Sequence, residues 1–330
     1  MAFRPLLEVR NLSIAYSSSS TTIRAVRNVS LQVSEGETLA LAGETGSGKS
    51  TLAHAILGLL DGQTRVESGE ILFEDQNVLL LGDHDWSCIR NRKIGIVFQD
   101  ARGALNPVLS AEDHLVETLR THQKLSKKSA RARALELFQE VGIQKGQGRL
   151  YPFELSGGVC QRIGIALAIC NNPRLLIADE PTSAVDPTIQ SQILDLLQLM
   201  KQRHGLALLM ISHDLPLISQ VADRISVMYN GHIVESGTKE EIFSSPAHPY
   251  TQGLLRCQPG FQHHYKTQPL TAIPGSLPTP GEEHKGCGFS PRCGYAGKQC
   301  NEPVSEQRRL SATHYTACHR DPDKQGAGNK

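Results

Sequence analysis

Eight residues limit the fold of this chain more than any others. Gly43-Glu44-Thr45-Gly46-Ser47-Gly48-Lys49-Ser50 fits G-x-x-x-x-G-K-[ST] and directly follows the apolar run Thr38-Leu-Ala-Leu-Ala42. The glycines let successive backbone N–H groups turn toward one point, and a helix beginning near Lys49 adds its positive dipole end. Such a cradle needs a strand before it and a helix after it, so it commits the chain to an α/β architecture. Lys49 is predicted to reach the β- and γ-phosphates of a nucleotide, and the Ser50 hydroxyl to ligate Mg²⁺. Gly43, Gly46 and Gly48 lack the G-x-G-x-x-G spacing of a dinucleotide fold.

The remaining pattern is consistent with this. Short apolar runs at 38–42, 94–98, 175–178, 207–211 and 225–229 are separated by helix-length stretches of polar periodicity. From residue 6 to about 250 the chain therefore reads as alternating strands and helices around a parallel sheet. Residues 112–124 and 127–141 read as charged helices with no strand between them, which predicts an inserted helical subdomain over about 88–170. From Gln258 onward proline and glycine dominate, and so short a segment needs a staple because it buries little core of its own. The expected division is a nucleotide-binding domain at 1–250 and a C-terminal extension at 251–330.

The run Leu175-Leu-Ile-Ala ends in Asp179 and Glu180. In isolation an Asp-Glu pair at a strand end reads as a salt-bridged surface feature. In a chain that also carries a phosphate loop, Asp179 is predicted to hold the Mg²⁺ shell and Glu180 to polarise an attacking water. No N-K-x-D sequence for reading guanine occurs.

Composition narrows the functional classes. The 330 residues carry 34 Lys+Arg against 33 Asp+Glu, and aromatics make up 5%. That balance gives no electrostatic reason to expect nucleic acid as a partner. No apolar run approaches the roughly 18 residues of a membrane-spanning helix, and charges interrupt the N-terminal stretch too early for a secretory signal. The expectation is a cytosolic protein whose membrane role is peripheral. Eight cysteines without an export signal point away from disulfides. Cys88, Cys160, Cys170 and Cys257 are scattered, whereas Cys287, Cys293, Cys300 and Cys318 crowd the last 44 residues.

Between the two phosphate-site motifs lies Leu155-Ser156-Gly157-Gly158-Val159, followed by a helix with apolar positions at Val159, Ile163, Ala166, Leu167 and Cys170. This resembles the signature motif of ATP-binding cassette (ABC) transporters, and the other elements follow in that family's order. The resemblance covers about residues 6–250 and implies a P-loop NTPase cassette. It makes Tyr16 the aromatic that stacks on adenine, Gln99 the Q-loop glutamine and a Mg²⁺ ligand, Asp186 the D-loop aspartate and His213 the switch histidine. Nucleotide contacts extend from Gly43 through Thr51, and Ser156, Gly157 and Gly158 face the γ-phosphate held by an opposite subunit. Val159 stands where many members carry Gln; the anion-binding helix start is left intact.

A narrower resemblance runs through His248-Pro-Tyr-Thr-Gln252, Ile273-Pro-Gly275 and Gly286-Cys-Gly-Phe-Ser-Pro-Arg-Cys293. It is similar to the C-terminal extension of ATPases from oligopeptide, dipeptide and nickel importers, particularly the dipeptide type. His248-Pro-Tyr is expected to pack on the cassette. The spacing Cys287-x5-Cys293-x6-Cys300-x17-Cys318 is not a zinc ribbon, and four thiolates suit a [4Fe–4S] cluster or Zn²⁺, with free thiols the remaining alternative. The resemblance favours the cluster. The histidines of the tail, His263, His264, His284, His314 and His319, are read as surface or packing residues.

One phosphate loop and one signature imply a second ABC ATPase subunit, with resemblance favouring a heterodimer. Two separate transmembrane permeases and an extracytoplasmic binding protein complete the implied assembly, which places the chain peripherally on the cytoplasmic face of the inner membrane. The expected cargo is di- or oligopeptides, with nickel or another metal chelate as the alternative. A soluble ABC ATPase acting on DNA or the ribosome is the rival of a different class.

Overall fold

The computed structural model describes residues 5–17, 22–183, 185–257, 272–278, 285–302 and 307–320. It divides into two compact units. Among the described residues, one comprises those within 73–211 with 33–38 and 5–7, and the other those within 8–32, 39–72 and 212–320.

The first unit holds a parallel sheet and a group of helices. Strand Leu175–Asp179 pairs in parallel with Ile94–Val97 on one side and with Ala207–Ser212 on the other. All five residues of Leu175–Asp179 are buried, which is why these strands read as unbroken apolar runs. Helix Pro187–His204 begins on a proline after Asp186 and ends at Gly205, whose φ of +61° reverses the chain. Helices Ala111–His122 and Lys127–Glu140 start at Ser110 and Ser126, whose hydroxyls accept the N–H groups of Asp113 and Ser129. Ala130, Ala134, Leu137 and Phe138 fall on one face of the second of these and are buried. The expected charged helix pair at 112–124 and 127–141 is thus present within two residues at each end.

The second unit holds the strand of the phosphate loop. Thr38–Ala42 pairs in parallel with Arg224–Tyr229, Ala42 lying beside Val227. Arg224–Tyr229 then turns through Asn230 and Gly231, both at positive φ, and pairs antiparallel with His232–Thr238. Tyr315–Thr316 of the C-terminal extension adds an antiparallel strand to Ser236 and Glu235, and Arg308–Arg309 adds another beyond it. The extension also supplies Phe289 to a buried cluster with Tyr229, Tyr250 and Ile225. It is therefore built partly on a core that it shares with the strands and helices before residue 257.

One expectation is corrected here. The N-terminal third is not a simple strand–helix alternation, because Pro5–Ser17, Thr22–Ser34 and Thr64–Phe73 form a second sheet in the order Thr22–Ser34, Pro5–Ser17, Thr64–Phe73. Asn11 lies against Ser30 and Ser13 against Asn28, the descending register of an antiparallel hairpin. The second half of Thr22–Ser34 buries alternate residues, Val29, Leu31 and Val33, so its signal there has period two and not the continuous run of the parallel strands. Among the described residues no helix is long and apolar enough to cross a membrane.

Candidate functional site

The phosphate loop lies wholly in the second unit, between Thr38–Ala42 and helix Lys49–Ile56. Two of its glycines are required by geometry. A Cβ on Gly43 would stand 2.2 Å from the Met228 carbonyl oxygen, and one on Gly48 would stand 2.1 Å from that of Ala25. The strand-to-helix turn closes that tightly against its neighbours. Lys49 is buried, and its Nζ donates to the carbonyls of Gly43 at 2.8 Å and Glu44 at 2.9 Å and to Ser47 Oγ at 3.3 Å. The ammonium is held over the centre of the loop, toward which Gly46 and Gly48 at positive φ turn the backbone. Tyr16 approaches the first turn of the helix, its hydroxyl 3.0 Å from Thr51 Oγ1. His213 is exposed at the end of strand Ala207–Ser212, just ahead of Asp214, whose carboxylate accepts the Leu217 N–H and starts the next short helix.

The other residues predicted for the nucleotide site lie in the first unit. Asp179 and Glu180 are both buried at the C-terminal end of Leu175–Asp179. Glu180 has left-handed backbone, φ +45°, with its N–H donating to Ile211 O at 2.9 Å. A non-glycine residue in that region costs of order 1 kcal/mol or more, and such strain clusters at functional positions. Gln99 donates from Nε2 to Glu180 Oε2 at 3.3 Å, which brings the Q-loop amide and this carboxylate together. Ser156 starts helix Gly157–Ile169 and its hydroxyl accepts the Val159 N–H at 3.4 Å, leaving an exposed helix start with Gly157 and Gly158 in its first turn. Arg102 donates to the Leu155 carbonyl, tying the segment after Gln99 to the signature. Asp186 stands at the start of Pro187–His204, with no side-chain cap bond.

In the C-terminal extension, Cys287, Cys293, Cys300 and Cys318 all line one cavity of about 230 Å³, with His248 and Phe289 also in its wall. Burial pushes the Cys287 thiol up to about 11, with the three other thiols adding to the shift. Burial likewise raises Cys293 and Cys318. Among the described residues no group of three or more His, Cys, Asp or Glu side chains is arranged to hold a metal ion. The four thiols share one cavity without converging on one ion position. Of the tail histidines, His263, His264 and His284 lie outside the described residues, and His314 is a buried packing residue bonded to Glu235.

Two residues that bear on the phosphate loop escaped the sequence reading. The Tyr250 hydroxyl accepts the Glu44 N–H at 2.8 Å, and Arg292 pairs with the Glu44 carboxylate. Their only signal was position, Tyr250 inside His-Pro-Tyr and Arg292 beside Cys293.

A glycine cradle in one unit, and in the other an acidic strand end and a serine-capped helix, are the elements of a nucleotide-hydrolysing cassette. The comparisons fix its kind. Residues 26–183 match the ABC transporter family model, and residues 234–300 match that of the oligopeptide/dipeptide transporter C-terminal region. The oligopeptide transport ATP-binding protein OppD of Bacillus subtilis is 42% identical over 313 residues, 94% of this chain and 87% of that protein. The dipeptide transport ATP-binding protein DppD of Haemophilus influenzae is 40% identical over 323 residues, 97% of each chain. Among solved structures, a dimeric post-hydrolysis state of the ATP-binding cassette MJ0796 with ADP and Pi is 30% identical at a TM-score of 0.65, covering 71% of this chain and 98% of that one. The chain belongs to the ABC transporter ATP-binding proteins, in the oligopeptide/dipeptide family. It is an ATPase subunit of an import system, hydrolysing ATP to power transport, and the rival reading on DNA or the ribosome falls away.

Proposed function

We propose that this chain drives uptake of di- or oligopeptides through two separate permeases, as a peripheral subunit on the cytoplasmic face of the inner membrane. A second ATPase subunit, different from this one, pairs with it, and an extracytoplasmic binding protein delivers the cargo. The observation that carries the peptide reading is the extension, whose family match at residues 234–300 is to oligopeptide/dipeptide transporters. Each chain holds one phosphate loop and one signature, so two cassettes complete two nucleotide sites. ATP drives their closure because it binds the closed state better than the open one.

In this reading residues 43–51 and Tyr16 bind the nucleotide, with Lys49 on the β- and γ-phosphates. Ser156, Gly157, Gly158 and Asp186 serve the partner's site. Ser50, Gln99 and Asp179 would hold Mg²⁺, which supplies charge neutralisation at the phosphates. Glu180 takes a proton from the attacking water, and the Gln99 amide at 3.3 Å orients its carboxylate. His213 stands near the γ-phosphate and couples hydrolysis to reopening. Functionally the chain divides into a cassette at 1–250 and an extension at 251–330 that braces it.

The four cysteines of the extension would hold a [4Fe–4S] cluster in this reading, with Zn²⁺ as the alternative. Their support is a shared cavity and the affinity of thiolate ligands for either centre. When bound, the cluster would cross-link the extension. Iron and acid-labile sulfide on anaerobically purified protein test this assignment; one equivalent of zinc without sulfide overturns it. Reconstitution with the neighbouring permeases and binding protein tests the cargo. Labelled dipeptide is expected to accumulate with ATP, and accumulation of Ni²⁺ without peptide would replace this reading by the metal alternative.

A further inference from the structure

Glu44, the second residue of the phosphate loop, is held through each of its polar groups. Its carbonyl accepts from Lys49 Nζ at 2.9 Å, and its backbone N–H donates to the Tyr250 hydroxyl at 2.8 Å. Its carboxylate takes a two-pronged pair from Arg292, Nη1 to Oε2 at 2.8 Å and Nη2 to Oε1 at 3.2 Å. Arg292 itself has little freedom. Its side chain is 5% exposed, its Nε donates to the Pro274 carbonyl at 2.9 Å, and its guanidinium lies 5.9 Å from the ring centres of Tyr229 and Phe289. All three guanidinium nitrogens are bonded, and two of them aim at one carboxylate 248 residues away in sequence.

A fork-to-fork pair of this kind fixes orientation as well as charge. Orientation matters because the Gly43 and Glu44 carbonyls are the two that hold Lys49, so turning the Glu44 backbone moves the ammonium. Charge matters because a carboxylate in a triphosphate cradle repels its ligand unless it is neutralised. The Glu44 side chain is 26% exposed, so solvent screens that repulsion only in part.

We propose that Arg292, from the C-terminal extension, is a positioning residue for ATP: it neutralises and orients Glu44 so that the loop presents Lys49 to the phosphates. Its side chain reaches the loop through the Glu44 carboxylate, and its effect is exerted through Glu44. The extension is thereby a functional part of the nucleotide site. The proposal rests on the assignment of residues 43–50 as the phosphate loop.

The test is the affinity of the full-length chain for a fluorescent ATP analogue with Mg²⁺, together with KM and kcat of the assembled transporter. Arg292→Gln is expected to weaken binding about tenfold, as one uncompensated, partly buried carboxylate would, and to raise KM with little change in kcat. Glu44→Gln combined with Arg292→Gln removes the stranded charge and is expected to recover most of that loss. A purely structural arginine would leave the double variant as weak as the single one, and that result overturns the proposal, as does native affinity in Arg292→Gln. If Arg292→Gln does not fold, Arg292→Lys replaces it. That variant keeps the charge but loses the fork, and about threefold weaker binding at an unchanged melting temperature is expected; native affinity there also overturns the proposal. Lys49→Ala separates the two levels, because native affinity in that variant removes the phosphate-loop assignment itself.

Discussion

Replacement of Glu235 by alanine tests how the extension is anchored. Glu235 is fully buried in strand His232–Thr238. Its Oε1 accepts the Ala247 N–H at 2.7 Å and His314 Nε2 at 2.8 Å, and its Oε2 accepts the His248 N–H at 2.9 Å. One carboxylate thus joins the sheet to the start of helix Pro249–Arg256 and to the turn before strand Tyr315–Thr316. Alanine strands three buried donors, each costing about 1–3 kcal/mol. Relaxation and water entry recover part of this, leaving a loss of roughly 3–5 kcal/mol. At about 2–4 °C per kcal/mol for chains of this scale, the melting temperature falls by on the order of 10 °C. Glu235→Gln keeps one acceptor and turns an amide donor toward another donor, so its loss is about half as large. Thermal unfolding followed by circular dichroism measures both, and limited proteolysis reports early cleavage beyond residue 257 in the alanine variant. A melting temperature within about 2 °C of native, with unchanged proteolysis, would refute the reasoning.

Gly48→Ala places a methyl group 2.1 Å from the Ala25 carbonyl oxygen at φ +105°, so ATP-analogue binding is expected to be lost; native binding would show that the loop is not clamped. With Tyr16 in its proposed role of stacking on adenine, Tyr16→Ala is expected to weaken ATP binding roughly tenfold, in line with about 1–3 kcal/mol for a base on an aromatic ring; an unchanged dissociation constant contradicts that role. Thiol labelling with a maleimide at pH 8 should modify exposed Cys88 and spare Cys170, whose thiol burial pushes up to about 12. Mass spectrometry of the labelled peptides checks this, and fast labelling of Cys170 would contradict its burial.

The sequence exposed those parts of the fold whose signals are local. Strands buried on both faces read as unbroken apolar runs, and 94–98 and 207–211 lie within a residue of Ile94–Val97 and Ala207–Ser212. The serine and glycine boundaries of the helices mark single positions in the chain. The N-terminal sheet is obscured because Thr22–Ser34 mixes polar and apolar residues with no continuous apolar run and its partner is fixed only by folding. Long-range pairing was invisible for the same reason. Glu44 and Arg292 each have an ordinary local reading, one as a loop residue and the other as a neighbour of Cys293, and only the shared core around Phe289 brings them together. Local motifs name the candidate site residues, while nothing local names the contacts of Tyr250 and Arg292 with Glu44.

ATP turnover and peptide uptake by the reconstituted transporter carrying Glu180→Gln in this chain alone test most directly whether Glu180 is the general base that drives import. A general base contributes about 10²–10⁴-fold to rate. Hydrolysis at the site holding Glu180 is expected to fall by at least about a hundredfold, bound ATP to persist there, and peptide uptake to stop. Native turnover and native uptake in that variant would contradict that role.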